Sequence, residues 1–160
     1  MEEIYAIADN VSITTHLTRF SDGDPAKIVY FANIPMYFDE GFIEIARNNG
    51  FAWGQRDNKF IIPIVEQKAT YRNPLRVGTQ YHVITAIIHV GNRSFKSGHI
   101  IYQESKGTIK MIAFGYIARA VVDPSTFTAI QMPENLEKVL KSHAVDQQTW
   151  QQIIDYFQKI

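Results

Sequence analysis

Between residues 12 and 20 the side chains alternate, with Ile13, Thr15 and Leu17 interleaved with Thr14, His16 and Thr18. A period of two predicts a strand from Ser12 to Phe20, since successive Cβ atoms of an extended chain point to opposite faces. The run meets Ser21-Asp22-Gly23-Asp24-Pro25, residues that leave a strand and turn the chain. Ile28-Val29-Tyr30-Phe31 is then a short apolar run that could line a buried crossing.

From Asn33 to Asn49 the period lengthens. Ile34, Phe38, Phe42 and Ile45 recur at spacings of four and three, while Asp39, Glu40, Glu44, Arg47 and Asn48 fall mostly elsewhere on the wheel. That is an amphipathic helix. Asn33 is placed as its N-cap, Pro35 sits in the tolerated first turn, and Asn49-Gly50 is the stop. Gly41 in mid-helix costs about 1 kcal/mol against Ala, so it predicts a close approach of helix to sheet.

Beyond Gly54 to Asn58 the chain is strand-like up to Val122. Val65, Gln67, Ala69 and Tyr71 alternate with Glu66, Lys68 and Thr70 and end at Asn73-Pro74. Further runs span Thr79 to Val90, Phe95 to Tyr102 and Thr108 to Val121, closed by Gly91-Asn92, Ser105-Lys106-Gly107 and Asp123-Pro124. Short Gly-containing connections between long strands predict antiparallel hairpins. Pro133 to Leu140 and Gln147 to Phe157 read as helices, the second with Trp150, Ile153, Ile154 and Phe157 on one stripe. Those helices are expected to pack outside the domain or against a partner. The whole is an α+β arrangement, one helix on one face of an antiparallel sheet of about five strands.

Composition narrows the function classes. The chain has 160 residues, 16 basic and 16 acidic, so no cationic excess stands ready for phosphates, and no nucleic-acid partner is expected. There is no cysteine, which removes disulfides, thiolate chemistry and cysteine-ligated metals. Met1-Glu2-Glu3-Ile4-Tyr5 lacks the basic start and apolar core of a signal peptide. No apolar run approaches the roughly 18 to 20 residues of a spanning helix. The expectation is a cytoplasmic protein of one domain over 1–160, with no membrane partner, a core at about 12–122 and a helical extension at about 123–160.

Most catalytic signatures are missing: there is no GxSxG elbow, no HExxH, no glycine-rich phosphate loop and no spacing that predicts a metal. His16, His82, His89, His99 and His143 are scattered, as packing or hydrogen-bonded histidines are. The distinctive stretch is Asp22 to Asn33, which sets carboxylates in a turn just before a helix N-terminus. Unpaired N–H groups and a partial positive charge there could stabilise an oxyanion, with Asp24 beside them as base or nucleophile. Local turn formation alone also accounts for Asp22 and Asp24.

The run Arg19-Phe20-Ser21-Asp22-Gly23-Asp24-Pro25-Ala26-Lys27-Ile28-Val29-Tyr30-Phe31-Ala32-Asn33, followed by Phe38 and Glu40, resembles the opening motif of the 4-hydroxybenzoyl-CoA thioesterase family of hotdog-fold proteins. Tyr71 to Gly78, Gly91-Asn92-Arg93-Ser94-Phe95 and Ile130 to Leu140 add weaker similarity, so the resemblance covers roughly residues 12–140. It implies a hydrolase of acyl-CoA thioesters with a sheet wrapped round a helix, no cofactor or metal, and a site formed by two chains, hence a homodimer or homotetramer. The family's catalytic carboxylate falls on Asp24, and its carbonyl-polarising backbone N–H on Phe31. Arg93, Ser94 and Lys96 are the candidates to hold coenzyme A, with Arg119 a further cation near the end of the last strand. Three positions depart from the pattern. Lys27 stands where the family often has Gly, and Phe20 and Phe31 where some members carry Tyr and His. A mechanism needing those two side chains is closed to this chain. Hydrolysis of acyl groups on acyl carrier protein, or acyl-thioester binding without turnover, are the alternative readings. A hydratase is weaker, for want of an Asp/His pair.

Overall fold

The computed structural model describes residues 2–51 and 59–160, so the connection expected over Gly54 to Asn58 lies outside the described residues. In chain order the elements are α1 (Glu2–Ile7), β1 (Ser12–Leu17), α2 (Ile34–Asn48), β2 (Ile64–Tyr71), β3 (Gln80–Val90), β4 (Ser94–Ser105), β5 (Thr108–Ala120), α3 (Glu134–Ser142) and α4 (Gln147–Lys159). The five strands form one antiparallel sheet in the order β1-β3-β4-β5-β2, with β1 and β2 at its edges. The β4–β5 hairpin turns on Lys106 (φ 51°) and Gly107 (φ 75°). Two central residues with positive φ match the twist of the flanking strands.

The long strands are apolar on both faces because each face is covered. On the inner face, Tyr81 and Val83 of β3, Ile101 of β4 and Ala113 and Ile117 of β5 pack on Ile34, Tyr37 and Phe38 of α2. Farther along the helix, Phe42 joins Ile87, Phe95 and Val121, with Leu136 and Leu140 of α3 closing that end. On the outer face, Ile84, Ala86, Ile100, Tyr102 and Met111 lie under Ile4 of α1 and the expected α4 stripe of Trp150, Ile153, Ile154 and Phe157. Both helices lie close to the sheet over glycines. A Cβ on Gly41 would come 2.2 Å from the Thr85 Oγ1, and one on Gly98 2.6 Å from the Trp150 ring.

Several expected boundaries move. The first strand stops at Leu17 rather than Phe20, and Phe20–Asp22 is a 3-10 turn. The main helix is preceded by a second 3-10 turn, Phe31–Asn33. Asn33 is therefore not an N-cap: its backbone is already helical (φ −84°, ψ −15°) and its side chain caps nothing in the helix. The amide instead donates to the Asp22 carbonyl at 3.0 Å. The third run is longer than expected, Ser94–Ser105 rather than Phe95 to Tyr102. Helix α1 has no counterpart among the expected elements.

Candidate active site

The motif folds as two small turns tied to the start of α2. Asp24 N–H donates to the Ile28 carbonyl and Lys27 N–H to the Asp24 carbonyl, both at 2.9 Å, closing a three-residue loop over Pro25-Ala26-Lys27. Such loops place their last residue in the left-handed region, and Lys27 is there at φ 60°. That is the physical reason glycine suits this position and lysine strains it. Asp24 is half-buried, and its Oδ1 accepts the Ala26 N–H at 2.8 Å. Its other carboxylate oxygen has no protein donor among the described residues.

Asp22 does different work. Its carbonyl accepts the Tyr30 N–H at 2.8 Å and the Asn33 amide, and its carboxylate accepts the Tyr37 hydroxyl at 2.7 Å. Burial first, and then the Asp22 carboxylate, push the Tyr37 phenol far above its usual range. Tyr37 stacks on Tyr81, with ring centroids 4.6 Å apart, and Tyr81 donates to Glu40, which His16 and Arg19 approach at 3.6 Å. This aromatic and carboxylate brace fixes the turn from behind and leaves Asp24 facing outward.

Phe31 opens the 3-10 turn, and its N–H has no acceptor among the described residues. The Phe31 carbonyl accepts both the Ile34 N–H and the Tyr71 hydroxyl, the latter at 3.0 Å. A hollow of about 310 Å³ adjoins it, walled by Phe31, Ile34, Tyr71, Pro74, Leu75 and Ile112. An N–H just ahead of the positive end of a helix, beside an apolar hollow, can hold a carbonyl oxygen that is gaining charge.

The expected cations lie elsewhere. Arg93 and Ser94 are exposed at the β3–β4 turn. Ile101, which packs with Val29 and Leu75 at the Asp24 end, is eight strand residues from Arg93, roughly 26 Å at 3.3 Å per residue. Lys96 points to the outer face, 3.7 Å from the Glu66 carboxylate and 4.8 Å above the Tyr116 ring. Arg119 is neither a solvated charge nor a phosphate ligand in waiting. It is 2% exposed, bonded to Asp39 of α2 and to Ser97, and lies over the Phe42 ring. Ser97 in turn meets His99, which bonds Thr85, so a buried polar string runs beneath the helix. Burial, and then the Arg119 charge, hold His99 well below the usual histidine range. Among the described residues no group of three or more His, Cys, Asp or Glu is arranged to hold a metal, and no helix is long and apolar enough to cross a membrane.

Tyr71 and Tyr37 are the residues that sequence reasoning passed over. Alternation assigned Tyr71 to a strand, and nothing local to β2 signals a contact with a turn 40 residues away.

A profile of the thioesterase-like superfamily matches residues 18–140. A Bacillus subtilis protein provisionally named an acyl-CoA thioesterase is 25% identical over 85 residues, which is 52% of this chain and 58% of that protein. The chain thus matches over less than two thirds of that relative's length. Among solved structures, a 1,4-dihydroxy-2-naphthoyl-CoA thioesterase from Synechocystis superposes with a TM-score of 0.74 at 14% identity, over 82% of this chain and 96% of its own. A 4-hydroxybenzoyl-CoA thioesterase complexed with 4-hydroxybenzoyl-CoA gives the same TM-score at 19% identity, over 82% of this chain and 99% of its own. The fold they share is the hotdog fold.

Proposed function

Because the chain belongs to the thioesterase-like superfamily, we propose that it is a thioester hydrolase that cleaves acyl-CoA to a carboxylic acid and free CoA. The observation that carries this reading is that one short motif holds a half-buried carboxylate, Asp24, and the Phe31 N–H ahead of α2, one carboxylate oxygen and that N–H both lacking a protein partner among the described residues. In this reading the acyl group enters the hollow beside Phe31 with its carbonyl oxygen on that N–H. Asp24 either adds to the carbonyl carbon or takes a proton from the water that does. In both routes negative charge collects on the carbonyl oxygen, the C–S bond breaks, and the CoA thiolate leaves and is protonated; in the nucleophilic route water then hydrolyses the mixed anhydride on Asp24, which releases the acid and restores the carboxylate. Neither route needs a metal or a cofactor; coenzyme A is part of the substrate.

The site is completed by a second copy of the chain. Arg93 lies at the opposite end of its own sheet from Asp24, and β2 is an edge strand with Ile64 and Val65 exposed. Arg93 and Ser94 of one chain then hold the nucleotide end of the CoA whose thioester lies at Asp24 of the other. Lys96, already shared with Glu66, contributes less.

The test is thiol release from short, long and aromatic acyl-CoAs by the parent chain, Asp24→Asn and Arg93→Ala, with sedimentation to fix the assembly. The Asn variant keeps the shape and loses the charge, so kcat falls about 100-fold or more. Arg93→Ala raises KM several-fold at unchanged kcat, because a screened phosphate contact contributes about 1 kcal/mol of uniform binding. Parental turnover in Asp24→Asn overturns the catalytic assignment, and an active monomer overturns the two-chain site. A hydroxamate on Asp24 after turnover in hydroxylamine identifies the nucleophilic route.

A further inference from the structure

The peptide that carries the Phe31 N–H and the two peptides flanking it are held from several sides. Ahead of it, Tyr30 N–H donates to the Asp22 carbonyl at 2.8 Å, and the Tyr30 carbonyl accepts the Asn33 N–H at 2.9 Å. Behind it, the Phe31 carbonyl accepts the Ile34 N–H and the Tyr71 hydroxyl. The Asp22 carbonyl comes from the preceding 3-10 turn and Ile34 from α2, whereas Tyr71 reaches it from the sheet, at the end of edge strand β2. Its ring also meets Phe31 edge-on, with centroids 6.3 Å apart, and forms a wall of the hollow.

We infer that Tyr71 is a positioning residue: its hydroxyl holds the Phe31 carbonyl, in the peptide next to the one bearing the Phe31 N–H, and by restraining the Phe31 backbone torsions it helps to aim that N–H toward the acyl carbonyl. This rests on the oxyanion role proposed above for that N–H. The physical basis is that a 3-10 turn has poorer hydrogen-bond geometry than an α-helix and readily shifts its pattern. A donor that gains strength only in the transition state has to be aimed in advance. Tyr71 is itself 47% exposed, so its hydroxyl is unneeded for burial and its ring suffices as a wall. Through β2 the aim of the donor is also coupled to the sheet edge.

Tyr71→Phe separates the two roles, because it keeps the ring and removes only the hydroxyl. We expect kcat to fall three- to tenfold, KM to stay within twofold, and the unfolding midpoint to match the parent. Tyr71→Ala also removes the wall, so KM rises as well. In parallel, amide relaxation of the labelled protein is expected to show Phe31 to Ile34 more mobile in Tyr71→Phe than in the parent. Parental kcat in Tyr71→Phe, a rise in KM alone, or an undisturbed turn each overturn the inference. Failure of the underlying reading is distinguishable: a turn that loosens in Tyr71→Phe without any change in kcat means that the Phe31 N–H is not the oxyanion donor, whereas an undisturbed turn means that Tyr71 does not hold it.

Discussion

The two faces of the sheet are covered by helices of similar length but in different chemical styles. Beneath α2 the contact includes Thr85, Ser97, His99 and Arg119, all buried and joined by hydrogen bonds to one another or to Asp39. Beneath α4 the contact is a cluster of Ile, Ala, Met, Trp and aromatic residues. An apolar contact tolerates sliding, since dispersion and burial are non-directional. A hydrogen-bonded string does not, because a displaced buried polar group loses its partner at a cost of about 1 to 3 kcal/mol. The inner helix is therefore held in register, and the 3-10 turn that bears Phe31 leads directly into it. The outer helix has no such duty. Consistent with this, the superfamily match spans residues 18–140 and takes in α2 but neither α1 nor α4.

If the two faces are separable in this way, damage to the outer one lowers stability and spares turnover. Trp150→Ala is the strongest such change. The side chain is 8% exposed and covers Gly98, so its loss leaves a cavity costing about 3 to 5 kcal/mol. Urea unfolding should show that loss, while the variant, still folded at low temperature, keeps parental kcat. A matching drop in kcat with the fold intact would join the two faces.

How much of this was legible from the residues differs between the faces too. The stripes of α2 and α4 were readable because four large apolar residues repeat at helical spacing in each, and Gly41 marked the close approach that the Thr85 contact now explains. The 3-10 start of α2 was not, because Asn33 fits a cap by residue type and only the distant Asp22 carbonyl diverts its side chain. Helix α1 was invisible: six residues are too few for a period, and Ile4 is buried only by joining the cluster under α4. Of the candidate site, Asp24 and the Phe31 N–H were put forward through motif resemblance. Arg119 was misplaced because its partner Asp39 is 80 residues away, and strand position alone does not distinguish an inward from an outward arginine.

A matched pair of substitutions sharpens the comparison at smaller cost. Gly41→Ala drives a methyl to 2.2 Å from the Thr85 Oγ1 and 2.9 Å from Val83, on the inner face. Gly98→Ala drives one to 2.6 Å from the Trp150 ring, on the outer face. Overpacking of this kind costs about 1 to 3 kcal/mol, offset at both positions by a gain of about 0.5 to 1 kcal/mol on replacing a glycine inside a helix or strand. Similar unfolding midpoints are thus expected, with unequal kinetics. Gly41→Ala lifts α2 and its first turn and lowers kcat, whereas Gly98→Ala shifts α4 and leaves kcat alone. Equal kinetic loss in both would show that the helices move as one body.

The smallest effect is a pH dependence centred on the inner face. His99 is fully buried, stacks on Phe38 and shares its ring nitrogens with Thr85 and Ser97. Arg119, bonded to the same Ser97, opposes a second positive charge there, and the Asp39 carboxylate is already committed to that arginine. The folded pKa therefore lies well below the unfolded value of about 6.5. Below that value the unfolded chain binds a proton that the folded chain refuses, so stability falls with acid, by at most about 1.4 kcal/mol per pH unit for one group. Stability is fully present above the unfolded pKa and declines as pH drops toward the depressed folded one. His82 has a lowered pKa as well, chiefly through burial, and adds a slope of the same sign. Urea midpoints between pH 7.5 and 5 are expected to decline in the parent and to decline less steeply in His99→Gln, whatever that variant's stability at neutral pH. A parental slope in His99→Gln would mean that the histidine charges in place, and that the string beneath α2 is less closed than its hydrogen bonds require.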